Sequence, residues 1–508
     1  MLLSTLLEGL EIESVQGDTH ILIEGISHNS QNITRNGLFV AVKGTHQDGH
    51  HYLEEAIAAG ATATIVEKSL QPRKGVITIK VPDTRIALAH VSDRFYGCPS
   101  QELMVIGITG TNGKTTTSYL VESILKAAGH HPGVIGTIDY RFGAQHHTAR
   151  NTTPGILELQ RMTREMVDAH TSHLIMEVSS HALEQHRVEG LHFDVAVFTN
   201  LTPEHLDYHG TMAHYSKAKE LLFSYYISRS SKDTTYSVIN YDDPCGKYLS
   251  TVTPAQVIRY GIKEGKEISL KDYRVSSEGL SALIATPYGE MNIRSPLIGS
   301  FNLSNILAAI GVAIAIQIPQ EAIIQGITQL SVVPGRLERI PNQDDITILV
   351  DYAHTSDALD NVLTTLTTLP KKRLITVFGC GGDRDKTKRG PMGDIATKKS
   401  DLAIITSDNP RTEDPLAIIE QIEAGIDHSL SQKYAIRKLP DTNHPKGYLI
   451  IPERREAIRT AVSFVQPGDI LLVAGKGHED YQIIGTTYSH FSDREELQEA
   501  LTLRTPRH

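Results

Sequence analysis

Short apolar runs alternate with helical segments almost from end to end of the chain, a pattern that predicts α/β architecture. GLFVAVKG, ATATIVEK and GVITIKVPD form a first group of strand-like runs, closing near FYGCPSQ, where Gly97, Pro99 and Ser100 punctuate the chain. LMVIGITG, HLIMEVSS, DVAVFTNL and YSVINYDD form a second. DITILVDY, RLITVFGC, DLAIITSD and DILLVAGK form a third, opening after VVPGRLE. The longest apolar run, ILAAIGVAIAIQI at 306–318, is Ala-rich and too short for a membrane span, so it reads as a buried helix. No internal repeat and no low-complexity linker interrupts the pattern.

In the second and third groups polar clusters follow the strands: TGTNGKTTT, EVSSHA, TNLTPEHLD, DYAHTSD, GCGGDRD, SDNPRTED and GKGHEDY. Open parallel sheets bind ligands outside the carboxyl ends of their strands, so these clusters predict two α/β units, each presenting a ligand-binding edge.

Composition narrows the classes. A chain of 508 residues exceeds one ordinary core, and two to four domains are expected. The formal net charge of −10 argues against nucleic acid as the main ligand, because a polyanion requires a basic face. Cys98, Cys245 and Cys380 are sparse, odd in number and without metal-ligand spacing, as expected of reduced thiols. The start, MLLSTLLEGLEIE, lacks the basic region and cleavage site of a signal peptide, and a cytoplasmic location is expected.

The sharpest chemical signal is TGTNGKTTT, residues 109–117. A strict phosphate-loop pattern asks for glycine, four residues and Gly-Lys-Ser/Thr, and Ile108 stands where its first glycine would be. The tighter run Gly110, Thr111, Asn112, Gly113, Lys114, Thr115, Thr116 keeps the physics. Glycines let backbone N–H groups approach phosphates, and the following helix, SYLVESILKAAG, points its N-terminus at them. Lys114 would bridge the β- and γ-phosphates of ATP, and the Thr115 hydroxyl would ligate Mg²⁺. Glu177, ending a neighbouring strand, is a second Mg²⁺ ligand, and a phosphate-bridging Mg²⁺ needs few protein donors. His205 and Asp207 end the next strand, where His205 is an unusual ligand for a hard cation. Read singly, Glu177 and Ser179 are equally well helix caps.

With these segments in order, the chain resembles the Mur ligases, the ATP-dependent amide-forming enzymes of peptidoglycan precursor synthesis. NTTP (151–154), EVSSHALEQHRV, HLDYHGTM, GSFNLSNILAA, VPGRLE, DYAHTSDAL, FGCGGDRDKTKRG, SDNPRTEDP and GKGHEDYQ join TGTNGKTTT in that likeness, from about residue 25 to the C-terminus. The resemblance implies three domains: a UDP-binding one at 1–99, a central P-loop ATPase with a mostly parallel sheet at 100–333, and a C-terminal Rossmann-like one for the amino acid at 334–508. It implies a monomer that phosphorylates the D-glutamyl side chain of a UDP-N-acetylmuramoyl-dipeptide and joins it to meso-diaminopimelate through an acyl phosphate.

The likeness also assigns residues. Lys219 in HYSKAKELL would be carbamylated and, with His205, would hold a second Mg²⁺; read without the family, it is a solvated helix lysine. Asn151, Thr152 and Thr153 would contact the muramoyl-dipeptide, with Ser179, Gln185 and Arg187 beside them and Ser30 at the uridine. Without the family, Gln185 and Arg187 read as an exposed helix face. Asn302, Arg336 and Asp351 would contact adenosine and phosphate, Asp351 by accepting from ribose hydroxyls. Diaminopimelate carries a distal carboxylate that lysine lacks, and the forks of Arg384 and Arg411 suit it. Asp408, Asn409 and Pro410 complete the Arg411 segment, while Gly475 and Glu479 would supply a close backbone and an amine partner.

The uridine end departs most: Asn29, Ser30 and Gln31 stand where Asp-Ser-Arg is usual, although His46 and Gln47 before Asp48 and Gly49 stay similar. Glu204 replaces a common aspartate and Ser356 a common proline. Open alternatives are the same reaction with L-lysine, a folylpolyglutamate synthase-like ligase, a nucleotide-dependent switch without catalysis, and a kinase acting on a hydroxyl.

Overall fold

Each group of apolar runs becomes one sheet in the computed structural model, which describes residues 1–44, 47–69, 71, 73–435 and 446–504. The first sheet pairs Gly25–Ser27, Gly37–Val40, Ala61–Val66 and Ile77–Lys80 in parallel, with Ser14–Gln16 antiparallel at one edge. His46 lies outside the described residues.

The central sheet has eleven strands. Its parallel part runs in the spatial order Ile268–Ser276, Gln256–Gly261, Tyr236–Asn240, Val195–Phe198, Met104–Thr109, His173–Glu177, Pro132–Ile135, and antiparallel strands extend it on both sides. Alternate residues of these strands enter opposite cores, because successive side chains of a strand leave opposite faces. Ile106, Ile108 and Ile175 join the core on one side, and Val105, Leu174 and Met176 the core on the other. The Ala-rich run forms the helix Phe301–Ala315, with Ile306, Ala308, Ile310 and Val312 fully inaccessible.

The third sheet has seven strands. Thr347–Asp351, Ile470–Ala474, Leu374–Phe378, Leu402–Ile405 and Gly447–Ile450 lie parallel in that order, with Glu338–Ile340 antiparallel at the edge. Cores cover both of its faces.

Helix starts follow their local chemistry. Asp83, Ser179, Thr211 and Thr355 accept backbone N–H bonds at the first turns of their helices. The helix Lys114–Ala127 begins instead at Gly113, with φ +88 and no side-chain cap. Its first-turn N–H groups therefore remain available to an anion. Among the described residues no helix is long and apolar enough to cross a membrane.

Candidate active site

Met104–Thr109 lies between Val195–Phe198 and His173–Glu177, all parallel, so the phosphate loop, Glu177 and Thr199–Asn200 meet at one edge. The loop is held from the strand beside it. Asn200 accepts the Asn112 N–H (2.9 Å) and donates to the Asn112 carbonyl (3.1 Å), and Thr199 Oγ1 donates to the same carbonyl (2.6 Å). Gly110, at φ +148, passes so close that a Cβ would stand 1.9 Å from Thr199 Oγ1. The Thr111 hydroxyl meets Tyr215 Oη at 3.1 Å. Lys114 Nζ donates to the carbonyls of Gly110 and Thr111, each at 2.8 Å, and its burial lowers its pKa. Thr116 is buried behind the loop.

Glu177 organises the next layer. It accepts from Thr115 Oγ1 (3.1 Å), from the Thr137 N–H (2.9 Å) and from Thr137 Oγ1 (2.9 Å). The Thr137 hydroxyl in turn meets Thr152 Oγ1 at 3.1 Å. Thr153 donates to the Glu177 carbonyl (2.9 Å) and accepts the Ser179 N–H (3.1 Å). Arg187 donates to the Thr153 carbonyl (3.1 Å) and to Gln185 Oε1 (2.7 Å), while Gln185 reaches Tyr208 Oη (3.1 Å). The helix here is short, Ser180–Glu184, so Gln185 and Arg187 lie beyond its end and fold over the Thr153 loop rather than lining an exposed helix face. Ser179 does cap that helix, accepting from Ala182 N–H, and belongs to the cluster as well. Asn151 is exposed at the loop tip.

Lys219 is not a solvated lysine. It is 1 % exposed on the helix Met212–Leu221, with Nζ donating to the Gly110 carbonyl (2.9 Å) and lying 4.5 Å from the centre of the Tyr215 ring. The Gly110 carbonyl thus receives both Lys114 and Lys219. Burial, reinforced by the Lys114 charge, drives the Lys219 amine well below its ordinary pKa. His205 is exposed, its ring edge-on to His181 at 4.9 Å and 6.2 Å from Tyr215. Tyr215 therefore joins His205 to Lys219.

The third sheet carries a second cluster at the ends of Leu402–Ile405 and Ile470–Ala474. Asn409 Nδ2 donates to Glu479 Oε2 (2.9 Å), and the buried Lys476 donates to Asn409 Oδ1 (2.8 Å). Asp408 lies 3.4 Å from Lys476 Nζ; burial raises its carboxyl, but Lys476 and Arg454 outweigh that and hold it below the usual range. Burial, with the Asp408 charge beside it, pushes Glu479 up to about 7. Pro410 is buried, and Arg411, at φ +52, donates through one terminal nitrogen to the Gly382 carbonyl (2.7 Å). The Gly475 N–H donates to the Asp351 carbonyl (3.0 Å). Arg384 is exposed and among the described residues makes no hydrogen bond or ion pair, unlike Arg411.

Arg336 and Asp357 link the third sheet's side to the phosphate loop. Arg336 donates to Thr115 Oγ1 (3.3 Å), and Asp357 accepts from Asn112 Nδ2 (3.2 Å) and Thr202 Oγ1 (2.9 Å). Asp351 is already engaged by backbone groups. It is 5 % exposed, and its oxygens accept the N–H groups of Leu337 (2.7 Å) and Ala353 (2.8 Å), so a ribose hydroxyl would have to share them. Asn302 turns inward to the Ile298 carbonyl (2.8 Å) and accepts from Asn305, whose Oδ1 is the atom nearest a Cβ at Gly113. Ser30 is buried in a turn capped by Asn29, whose side chain accepts the Gln31 N–H (3.0 Å). An aspartate at position 29 could make the same cap.

Motif reading passed over Thr137, Asn200, Asn305, Asp357 and Lys476. Asn200, Asp357 and Lys476 did sit inside strand-end clusters, where position was a usable signal; Thr137 offered none.

Family models cover the chain in three parts: the Mur ligase family catalytic domain at residues 22–96, the Mur ligase middle domain at 108–313, and the Mur ligase glutamate ligase domain at 335–477. The chain belongs to the Mur ligase family and is an ATP-dependent amide ligase. It is 47% identical over 485 residues to a UDP-N-acetylmuramoyl-L-alanyl-D-glutamate--2,6-diaminopimelate ligase of Geobacter metallireducens, covering 95% of each chain. It is 42% identical over 473 residues to the Geobacillus thermodenitrificans protein of the same name, covering 93% of each. A solved structure with that name superposes with TM-score 0.71 at 31% identity over 99% of both chains.

Proposed function

We propose that this chain adds meso-2,6-diaminopimelate to UDP-N-acetylmuramoyl-L-alanyl-D-glutamate at the expense of ATP, in the cytoplasm and as a monomer, during peptidoglycan precursor synthesis. The names of the relatives support the substrate pair. The observation that carries the reading is the Arg336 bond to Thr115, which ties the segment leading into the third sheet to the phosphate loop. Residues 1–99 would receive the uridine end through Ser30, 100–333 the ATP and 334–508 the amino acid.

The γ-phosphoryl group passes from ATP to the D-glutamyl side-chain carboxylate, breaking its bond to the bridging oxygen of ADP and forming a mixed anhydride. The amine of diaminopimelate attacks that carbonyl carbon, loses a proton, and phosphate leaves as the C–O bond breaks. A carboxylate is a poor electrophile, and phosphorylation supplies its leaving group. The protein's part is positioning and charge neutralisation. Lys114 and Arg336 face the phosphates, while Asn151, Thr152, Thr153, Ser179, Gln185 and Arg187 hold the dipeptide.

Thr115 and Glu177 bring oxygen donors within 3.1 Å of one another, the hard-donor chemistry that Mg²⁺ takes. A Lys219 ammonium is no ligand, but its low-pKa, buried amine can react with CO₂, and the resulting carbamate would add an oxygen donor beside His205. Bound Mg²⁺ would neutralise charge developing on the transferred phosphoryl group. Arg411 would take the distal carboxylate of diaminopimelate and Glu479 its distal ammonium.

The test is phosphate release from ATP with the UDP-muramoyl-dipeptide present and diaminopimelate or L-lysine added in parallel. Diaminopimelate-dependent ADP and phosphate are expected. An equal or larger response to lysine would overturn the specificity, and no response to either would overturn the reaction.

A further inference from the structure

Lys476 is fully buried, yet the phosphate loop and its lysine are on another sheet and do not use it. Its Nζ donates to Asn409 Oδ1 (2.8 Å) and the Tyr481 carbonyl (2.7 Å), with Asp408 Oδ1 at 3.4 Å and Glu479 Oε2 at 3.8 Å. Asn409 Oδ1 also accepts the Ile483 N–H at 3.1 Å. Two donors on that oxygen fix the side-chain amide in one orientation, since a flipped amide would aim its NH₂ at an ammonium and an N–H. The NH₂ is thereby committed to Glu479 Oε2 (2.9 Å).

From this geometry we propose that Lys476 is a positioning residue for the incoming amino acid, fixing Asn409 and Glu479 as the pair that receives its distal ammonium group. The proposal rests on the amino-acid site described above. Charge balance supports it: Asp408, Glu479 and Lys476 together carry one net negative charge when ionised, which one ammonium neutralises. Arg411 is near enough for its charge to act on Glu479, and its fork matches the carboxylate. The groups acting on Glu479 are Asp408, Lys476, Arg411, Arg454, Tyr352 and Tyr481. Lys476 is the cation that most opposes burial and Asp408 there, so its removal leaves Glu479 protonated at neutral pH.

The experiment compares Lys476→Met, Glu479→Gln and the double variant with the unaltered protein, by steady-state phosphate release at neutral pH and at about pH 9. In Lys476→Met, KM for diaminopimelate is expected to rise about tenfold or more at neutral pH. KM for ATP and for the UDP-muramoyl-dipeptide stays unchanged, and the loss recovers at the higher pH as Glu479 ionises. Glu479→Gln shows no such recovery, and adding Lys476→Met to it costs little more. A loss equal at both pH values, or spread over all three substrates, or multiplicative in the double variant, would overturn the proposal. If Lys476→Met does not fold, Lys476→Arg replaces it in the same cycle, its retained charge predicting a smaller, pH-dependent rise in the diaminopimelate KM. A flat profile there would count against the proposal equally. Absence of diaminopimelate-dependent turnover in the unaltered protein would instead refute the reading of the site.

Discussion

Two lysines are buried at strand-edge clusters of this molecule, and their surroundings give them opposite chemistry. Lys476, on the third sheet, has two oxygen acceptors below 3 Å and two carboxylates within 4 Å. Lys219, beside the central sheet, has the Gly110 carbonyl and a tyrosine ring, and among the described residues it forms no ion pair. An ammonium removed from water needs compensating charge, and without it the neutral amine is favoured. One buried lysine thus lies against two carboxylates, whereas the other lacks such partners and its amine is held well below its ordinary pKa. Burial alone decides neither role.

The largest expected effect falls on the phosphate side. Lys114→Ala should cut the rate of phosphate release by about 10²–10³-fold or more, because it removes a cation from the transferred phosphoryl group. A smaller loss would show that the loop binds nucleotide without serving the transfer.

Lys219→Ala sharpens the contrast with Lys476. It should lower kcat by about 10²-fold while leaving KM for diaminopimelate unchanged, the reverse of the Lys476 pattern. Labelled bicarbonate should give a carbamate carbon signal by NMR in the unaltered protein that the variant lacks. An unchanged signal would place the carbamate elsewhere.

Next comes Arg411. Arg411→Ala should narrow the preference for diaminopimelate over lysine by about 10–100-fold, the scale of one lost charge-assisted hydrogen-bonded pair. Arg384→Ala, whose side chain is exposed and, among the described residues, unpaired, should change that preference much less. If the order reverses, the selecting arginine has been misassigned.

The pH dependence is gentler. Glu479 is raised to about 7, so its carboxylate becomes available as pH rises through that value, and KM for diaminopimelate should fall across the same range. The folded state holds this proton where the unfolded chain has released it. Glu479 therefore contributes a loss of stability as pH rises from about 4.5 to about 7, measurable as a change between Glu479→Gln and the unaltered protein in denaturant melts. The smallest effect is expected for Asp357→Asn, which keeps shape but weakens the contacts to Asn112 and Thr202. ATP KM should rise only a few-fold, corresponding to about 1 kcal/mol or less.

Much of the candidate site was legible because strand ends are legible. Apolar runs mark where strands stop, and Glu177 stands at such a stop, with Thr115, Asp408 and Glu479 a few residues beyond theirs. The two-site arrangement followed from that rule without geometry. Lys219 was misread by its own residues as solvated, because its helix segment HYSKAKELL carries polar residues that resemble a wet face. Its carbonyl partner lies 109 positions earlier. Asp351 and Asn302 were legible as polar residues of motif segments, but their bonds to the backbone of Leu337, Ala353 and Ile298 were not. Lys476 looked like one more lysine in a glycine-rich turn.

The sequence by itself determined the α/β class, the grouping of strands, the phosphate loop and the family likeness, all of which depend on local periodicity and on motifs held within short spans. Only the tertiary structure decided which charges meet. Thr115 reaches Glu177 across 62 positions and Arg336 across 221, and the Lys476–Asn409 contact closes over 67. The state of a buried amine or carboxyl depends on the dielectric and the charges within a few ångströms. Those neighbours are supplied by sheet order and crossover packing, so the chemistry of Lys219, Lys476 and Glu479 exists only once the chain has folded.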